Sequence, residues 1–164
     1  MNRITLLEKL KEVTENAVKD LILPVAPQKG DTELKYRAPD VYLMRLPDVN
    51  SAMKKVPYVL IQFALGEDKQ EPRERPESSA MIRFVCAVYH NDGQEGALSL
   101  LNVMERIRIA LLRNPVVGGQ FVLDLEAGFQ AAIDYDDIGP YYKGEMVNTW
   151  SLPPVEREDV RKCL

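Results

Sequence analysis

Few residues in this sequence could carry out catalysis: one histidine and two cysteines. Cys86 lies inside an apolar run, His90 follows it at the end of that run, and Cys163 is the second-last residue. A cysteine nucleophile needs a base within reach, but Cys86 is expected to point into the core and His90 to lie in a turn. A zinc site would need three or four such ligands. The sequence therefore predicts no catalytic residue, no metal site and no cofactor, with Cys86 a buried thiol and Cys163 a thiol of the C-terminal tail.

Asp134, Asp136 and Asp137 could offer oxygen ligands to a hard cation. They stand at the end of a strand-like run, however, and lack the spaced ligands and distal glutamate of a calcium loop. The sequence also lacks the glycine-rich nucleotide-binding patterns, the nucleophile elbow and the zinc-protease helix motif. We therefore interpret the aspartates as a solvated strand end, and we expect that the protein is not an enzyme.

The densest charge lies in residues 66–79, which read GEDKQEPRERPESS. This segment has almost no apolar side chains, so it cannot bury enough surface to offset the entropy lost on ordering, and a mobile loop is predicted. Arg73 and Arg75 alternate there with glutamates. Two interpretations follow: a solvated loop, or a loop that docks against a partner surface of mixed charge.

The centre of the predicted fold is a strand over residues 81–89, followed by a turn and a helix over residues 94–113. Both faces of the strand are apolar, which is typical of an interior strand covered on both sides. The two faces are Phe84, Cys86 and Val88, and Val85, Ala87 and Tyr89. The helix is expected to bury residues spaced at three and four, which are Ala97, Leu101, Met104, Ile107 and Leu111.

An amphipathic helix over residues 2–23 opens the chain, and a charged tail over residues 155–164 closes it. The remaining strands are predicted over residues 41–46, 57–65, 120–125, 129–135 and 143–152, with 120–125 and 129–135 forming a hairpin. Strands that outnumber the helices predict a single α+β domain over residues 1–164. Its sheet is expected to be mixed and mostly antiparallel, with two main helices packed on one face.

Composition narrows the classes of partner. The chain has 164 residues, is 46% apolar and 28% charged, and carries a net charge of −4 with a pI of about 5.2. An acidic chain is a poor match for nonspecific binding to nucleic acid or to an anionic membrane. No apolar run approaches the ~20 residues that span a bilayer, and the N-terminus has no signal-peptide core. We expect neither membrane insertion nor direct sequence-specific nucleic-acid binding.

From Pro57 onward the sequence resembles the tail terminator, or tail completion, proteins of long-tailed phages and prophages, such as the lambda-type minor tail protein. The resemblance rests on PYVLIQF, a charged loop with prolines, MIRFVCAVYHNDGQEG and LLNVMERIRIALL, in that order. It continues through the late strands to WSLPPVEREDV. In that last run Trp150, Pro153, Arg157, Glu158 and Asp159 are the most family-like residues.

The resemblance implies a structural virion protein that forms a ring, expected to be a hexamer, on the tail tube. Such a ring ends tube polymerisation and offers a surface to the head–tail connector protein, so the implied partners are copies of itself, the tail tube protein and the connector. The implied location is the host cytoplasm during assembly and then the virion tail. The residues expected at these interfaces are Glu67, Asp68, Arg73, Glu74, Arg75, Arg157, Glu158 and Asp159.

A small host or prophage enzyme is one rival class, but the sequence offers no candidate for its essential residue. Two further alternatives stay open at this point. One is another head–tail junction protein of similar fold, either a head completion protein or a connector. The other is a non-enzymatic binding module with the same fold, which its mass in solution would distinguish.

Overall fold

The computed structural model describes residues 2–47, 55–135 and 139–158. Cys163, Asp136, Asp137 and Asp159 lie outside them. The elements are helices α1 (Arg3–Val18) and α2 (Gly93–Arg113) and strands β1 (Leu23–Pro24), β2 (Tyr36–Arg37), β3 (Asp40–Leu43), β4 (Tyr58–Lys69), β5 (Glu77–Tyr89), β6 (Val116–Val117), β7 (Phe121–Asp134) and β8 (Tyr141–Leu152).

The main sheet has six strands in the order β3-β4-β5-β8-β7-β6. Only the short β3 runs parallel to its neighbour β4, and every other pairing in this sheet is antiparallel. The strands β1 and β2 form a separate two-stranded sheet. The α+β class and the mixed, mostly antiparallel sheet are confirmed.

The strand β5 is interior, with β4 on one side and β8 on the other, and its two faces enter different cores. Phe84, Cys86 and Val88 belong to the main core cluster, which also contains the buried apolar side chains of both helices. The opposite face enters a smaller cluster that contains no residue of α1 or α2; its members are Ala26, Val56, Tyr58, Leu60, Val85, Ala87 and Tyr89. Both helices therefore pack on one face of the sheet, as predicted.

The first helix is shorter than expected, ending at Val18 rather than near residue 23. It begins where the side chain of Asn2 accepts hydrogen bonds from the backbone N–H groups of Ile4 and Thr5, at 3.0 and 3.1 Å. This N-cap satisfies donors that the helix cannot pair internally. The buried stripe is Leu6, Leu7, Leu10, Thr14 and Val18.

The prediction of a hairpin over residues 120–135 was wrong, because these residues form the single strand β7. Asp124 pairs with Thr149, and Phe129 pairs with the adjacent Asn148, so residues 125–128 bulge out of the ladder. The Asp124 carboxylate accepts hydrogen bonds from the backbone N–H groups of Glu126 and Ala127. Gly128 adopts a φ of +91°. A local turn signal thus marks a bulge within one strand.

The extent of the predicted loop over residues 66–79 was also wrong. Residues 66–69 continue β4 and residues 77–79 begin β5, with Gly66 opposite Ala80 and Lys69 opposite Glu77. Only residues 70–76 connect the strands. The charged side chains do not oppose strand formation here, because the ladder places them on the surface while backbone hydrogen bonds hold the strands. That residues 70–76 are mobile stays a prediction.

The buried face of α2 is rotated from the predicted one. Leu101 is exposed and Ala97 is half-buried. Met104, Ile107 and Leu111 are buried as predicted; the complete buried set is Gly96, Leu100, Val103, Met104, Ile107 and Leu111. In the described part of the chain, no helix is long and apolar enough to cross a membrane.

Candidate assembly interface

The connection between β4 and β5, residues 70–76, forms an exposed charged tip. Glu71, Arg73, Glu74 and Arg75 form no ion pair with any described residue. A backbone hydrogen bond from the Glu74 N–H to the Glu71 carbonyl closes the turn at 3.0 Å. Three of the residues expected at interfaces therefore lie together, with side chains whose charges are free to meet a partner.

The base of this hairpin is fixed to the first turn of α1 by Arg3. The guanidinium donates a hydrogen bond to the Asp68 carboxylate at 3.2 Å and another to the Ser79 carbonyl at 3.1 Å. It also lies 5.6 Å from the centre of the Phe63 ring, within the range of a cation–π contact. Gly66 provides the space, since a Cβ there would lie 2.6 Å from the Arg3 guanidinium carbon.

Asp68 remains ionised to lower pH than an ordinary aspartate. A hydrogen bond with the Ser78 side chain, and then the charge and hydrogen bond of Arg3, lower its pKa below the usual value of 3.8. The remaining hairpin residue of the expected interface, Glu67, lies 3.7 Å from the Lys69 ammonium. Asp68 therefore has a structural role within the chain, whereas Glu67 is an exposed charge beside a cation.

The chain segment after β8 returns to the same end of the sheet. Pro154 and Val155 share a cleft with Asp68 and the ends of the hairpin, and Pro153 shares a second cleft with Arg3. Arg157 and Glu158 follow within a few residues and are exposed. The structure therefore brings the hairpin and the C-terminal segment together, although about 80 residues separate them in the sequence.

An acidic groove crosses the sheet face opposite the helices, next to the hairpin. Its volume is about 660 Å³. Its floor carries the small side chains of Ser79, Thr149 and Ser151, which lie on one face of β5 and β8. Its walls come from β4 and β5 on one side and the β7 bulge on the other, and the acidic residues among them are Glu67, Glu77, Asp124 and Glu126. Lys69 is the one cation among these lining residues.

The outer face of α2 is a surface that the sequence reasoning missed. Leu98, Leu101 and Ile109 point away from the sheet with exposures of 52%, 42% and 39%. Leu98 and the buried Ile107 are two and a half turns apart at about 3.6 residues per turn, so they lie on opposite sides of the helix. The signal was present in the sequence, because Leu98 and Leu101 are three residues apart and Ile109 follows Leu101 by eight, or two steps of four. Only one apolar stripe was predicted, and it was assigned to the core.

The residues considered for chemistry make contacts within the fold. Burial raises the pKa of the Cys86 thiol to about 12. The ring of His90 accepts a hydrogen bond from the Asp92 N–H at 3.0 Å, which places it in the turn before α2. Trp150 is fully buried and donates from its indole nitrogen to Asn148 at 2.6 Å. Within residues 2–47, 55–135 and 139–158, no three His, Cys, Asp or Glu side chains come close enough to hold a metal ion.

The fold and surfaces described above define a small α+β domain with an exposed charged end. No protein-family model matches this sequence, and no curated protein matches it significantly.

Proposed function

We propose that this chain is a structural protein of a long-tailed phage or prophage, which caps the tail tube as a ring, ends tube polymerisation and joins the tail to the head. The observation that carries the proposal is the single charged end built from the hairpin and the segment after β8. The sequence resemblance is a second and separate support for the proposal, and it rests on the order of the segments from Pro57 onward.

The charges at this end suit an assembly interface. The tip residues have no ion partners among the described residues, so binding a surface of mixed charge would not break existing pairs. Charges of both signs favour the correct register and partner more than they raise affinity. A tip that orders only on docking would place the entropic cost at the assembly step.

The tail length of virions tests the proposal directly. Electron microscopy of particles from a prophage that lacks this gene should show overlong tails without heads. Normal-length tails that fail to join heads would favour the alternative head–tail junction role. Intact, infectious virions would overturn the phage-structural proposal.

A second variant locates the function at the hairpin. Replacing residues 70–76 by Asn-Gly should preserve the Lys69–Glu77 pair, because a two-residue turn of this type suits an antiparallel hairpin. The variant should fold, as circular dichroism would show, and fail to cap tails. The matched control neutralises two exposed charges elsewhere, Lys29→Gln with Glu33→Gln, and should cap normally. If the variant without residues 70–76 still capped tails, the hairpin tip would have no part in the proposed function.

A further inference from the structure

The outer face of α2 carries apolar side chains. Its C-terminal half is basic, whereas its first turn carries the exposed Glu95. Leu98, Leu101 and Ile109 form its apolar stripe. Arg106 and Arg113 flank that stripe, are exposed, and form no ion pair with a described residue. Glu105 lies between Leu101 and Ile109 on this face, four residues from each. Its pair with Arg108, with 2.8 Å between the atoms, is neutral as a unit. A helix that is apolar on both sides has a second surface to bury.

The acidic groove has the opposite character. Four carboxylates and one ammonium surround it, and apolar side chains lie beside it on the same sheet face. Leu65 and Val122 are exposed there, at 58% and 43%. Exposed apolar surface next to acidic walls matches the apolar stripe and arginines of α2.

The two surfaces lie on opposite sides of the domain, because α2 covers one sheet face and the groove is on the other. A single chain cannot bring them together. Two copies can do so head to tail, which leaves one free surface of each type for the next copies. Such a heterologous contact produces a ring when the rotation between copies closes.

We infer that the outer face of α2 docks into the acidic groove of a second copy of this chain, and that this contact joins neighbouring subunits. The inference rests on the proposed ring, and it assigns the subunit contact to different residues from the hairpin tip. The contact places Arg106 and Arg113 against the acidic walls of the neighbour's groove. The apolar stripe then packs against the exposed side chains beside the groove, Leu65 and Val122.

Charge reversal tests the contact. Sedimentation equilibrium of the purified full chain at low salt should show association beyond a dimer. Arg106→Glu with Arg113→Glu should weaken association at least about tenfold, since like charges then meet at every contact. Glu77→Lys with Glu126→Lys should do the same. Asp124 is left unchanged because it holds the β7 bulge.

Mixing the two variants is the decisive step. In an equimolar mixture every contact again joins opposite charges, so alternating assemblies should form with the mass of the wild-type assembly. A control with the same charge change as the α2 variant, made outside both surfaces by Lys29→Glu with Arg45→Glu, should associate like the wild type. Circular dichroism should show the same folded spectrum for all variants.

The inference is overturned if the variants associate normally or if mixing restores nothing. A wild-type chain that stays monomeric to about 1 mM also overturns it, because that limit excludes a contact of useful affinity. Loss of tail capping by the groove variant alone, without rescue by the α2 variant, would assign the groove to a different protein and overturn the inference. The proposed function is tested separately, by the tail lengths of particles that lack this gene, and that test does not depend on the association measured by sedimentation.

Discussion

Arg3 and Asp68 are 65 positions apart in the sequence, yet their side chains form an ion pair at 3.2 Å that joins the first turn of α1 to the hairpin. The pair is partly exposed, with 34% and 66% of the two side chains accessible to solvent. Exposed pairs contribute little to global stability. We therefore expect the pair to hold the hairpin in position rather than to stabilise the whole domain.

Arg3→Ala should loosen the hairpin without unfolding the domain. Amide hydrogen exchange in residues 66–69 and 77–80 should accelerate roughly three- to tenfold, because the substitution removes a hydrogen bond, an ion pair and a cation–π contact at once. Lys11→Ala removes a different α1 surface pair, with Glu15, and should leave hairpin exchange unchanged. Equal exchange in both variants would contradict the role assigned to Arg3.

The same experiment has a pH dependence. Ser78 and Arg3 depress the folded-state pKa of Asp68, so its contribution is complete above the ordinary value of 3.8 and is lost as pH falls through the lowered pKa. The difference in hairpin exchange between the wild type and Asp68→Asn should shrink over that acidic range. A difference that grew on acidification would have the wrong sign.

Gly66→Ala should displace Arg3. The added Cβ would lie 2.6 Å from the guanidinium carbon and 2.8 Å from the tip of the Phe63 ring. Its effect on hairpin exchange should be smaller in the Arg3→Ala background, where only the close contact with Phe63 remains, because residues that share one contact are not additive. Additive effects in this double-mutant cycle would show that Gly66 acts through something other than Arg3.

Arg73→Gly should stabilise the folded protein by up to about 1 kcal/mol, since glycine tolerates a left-handed backbone at little cost. Arg73 has a φ of +67° at the hairpin tip. Arg73→Ala removes the same charge but retains a Cβ, and it should give no gain. Urea unfolding of both variants measures the difference. Both variants remove the guanidinium, so loss of tail capping by both would point to the Arg73 side chain.

Gly96→Ala should destabilise the protein by about 1–2 kcal/mol, although alanine normally favours a helix over glycine by about 1 kcal/mol. A Cβ at this buried position of α2 would overlap the ring of Tyr142 on β8. Gly93→Ala is the matched control: its nearest neighbour would be the Tyr142 hydroxyl at 3.4 Å, an ordinary contact. If thermal or urea unfolding showed that Gly96→Ala is more stable than the wild type, close packing of α2 against Tyr142 at this position would be excluded.

The Cys86 thiol should make the protein sensitive to alkaline pH. Its folded-state pKa of about 12 is above the ordinary value of 9.0, so the unfolded chain loses the proton first and stability falls as pH rises between them. At pH 10 the free energy of unfolding should be about 1.4 kcal/mol lower than at pH 7 through this group. Cys86→Ala should remove that part of the slope, leaving the loss from Tyr58, whose pKa burial also raises. An unchanged slope would contradict the assignment.

Much of the fold follows from local patterns. The strand β5 was predicted with the correct division of its faces, because successive side chains of a strand point to opposite faces once the strand itself is recognised. The strong periodicity of α2 predicted the helix to within one residue. Its buried face was misplaced because apolar residues occur on both sides of the helix, and only packing against β5 and β8 selects one of them.

Residues 66–79 and 120–135 show what a local pattern cannot decide. Charges, prolines and a turn-like glycine predict that the strands are interrupted there. That prediction ignores the neighbouring strands, which supply hydrogen-bond partners for the backbone. Once β5 and β8 are in place, residues 66–69 and 77–79 extend the sheet, and residues 121–134 form one strand with a bulge.

By itself, the sequence determined the α+β class, the central strand and helix, the buried thiol and the charged hairpin tip. The tertiary structure alone joined Arg3 to Asp68, placed the segment after β8 beside the hairpin, and opened the acidic groove on the face opposite α2. The physical reason is distance along the chain. Periodicity and propensity act over a few residues, whereas these surfaces come from residues that only strand pairing and core packing bring together.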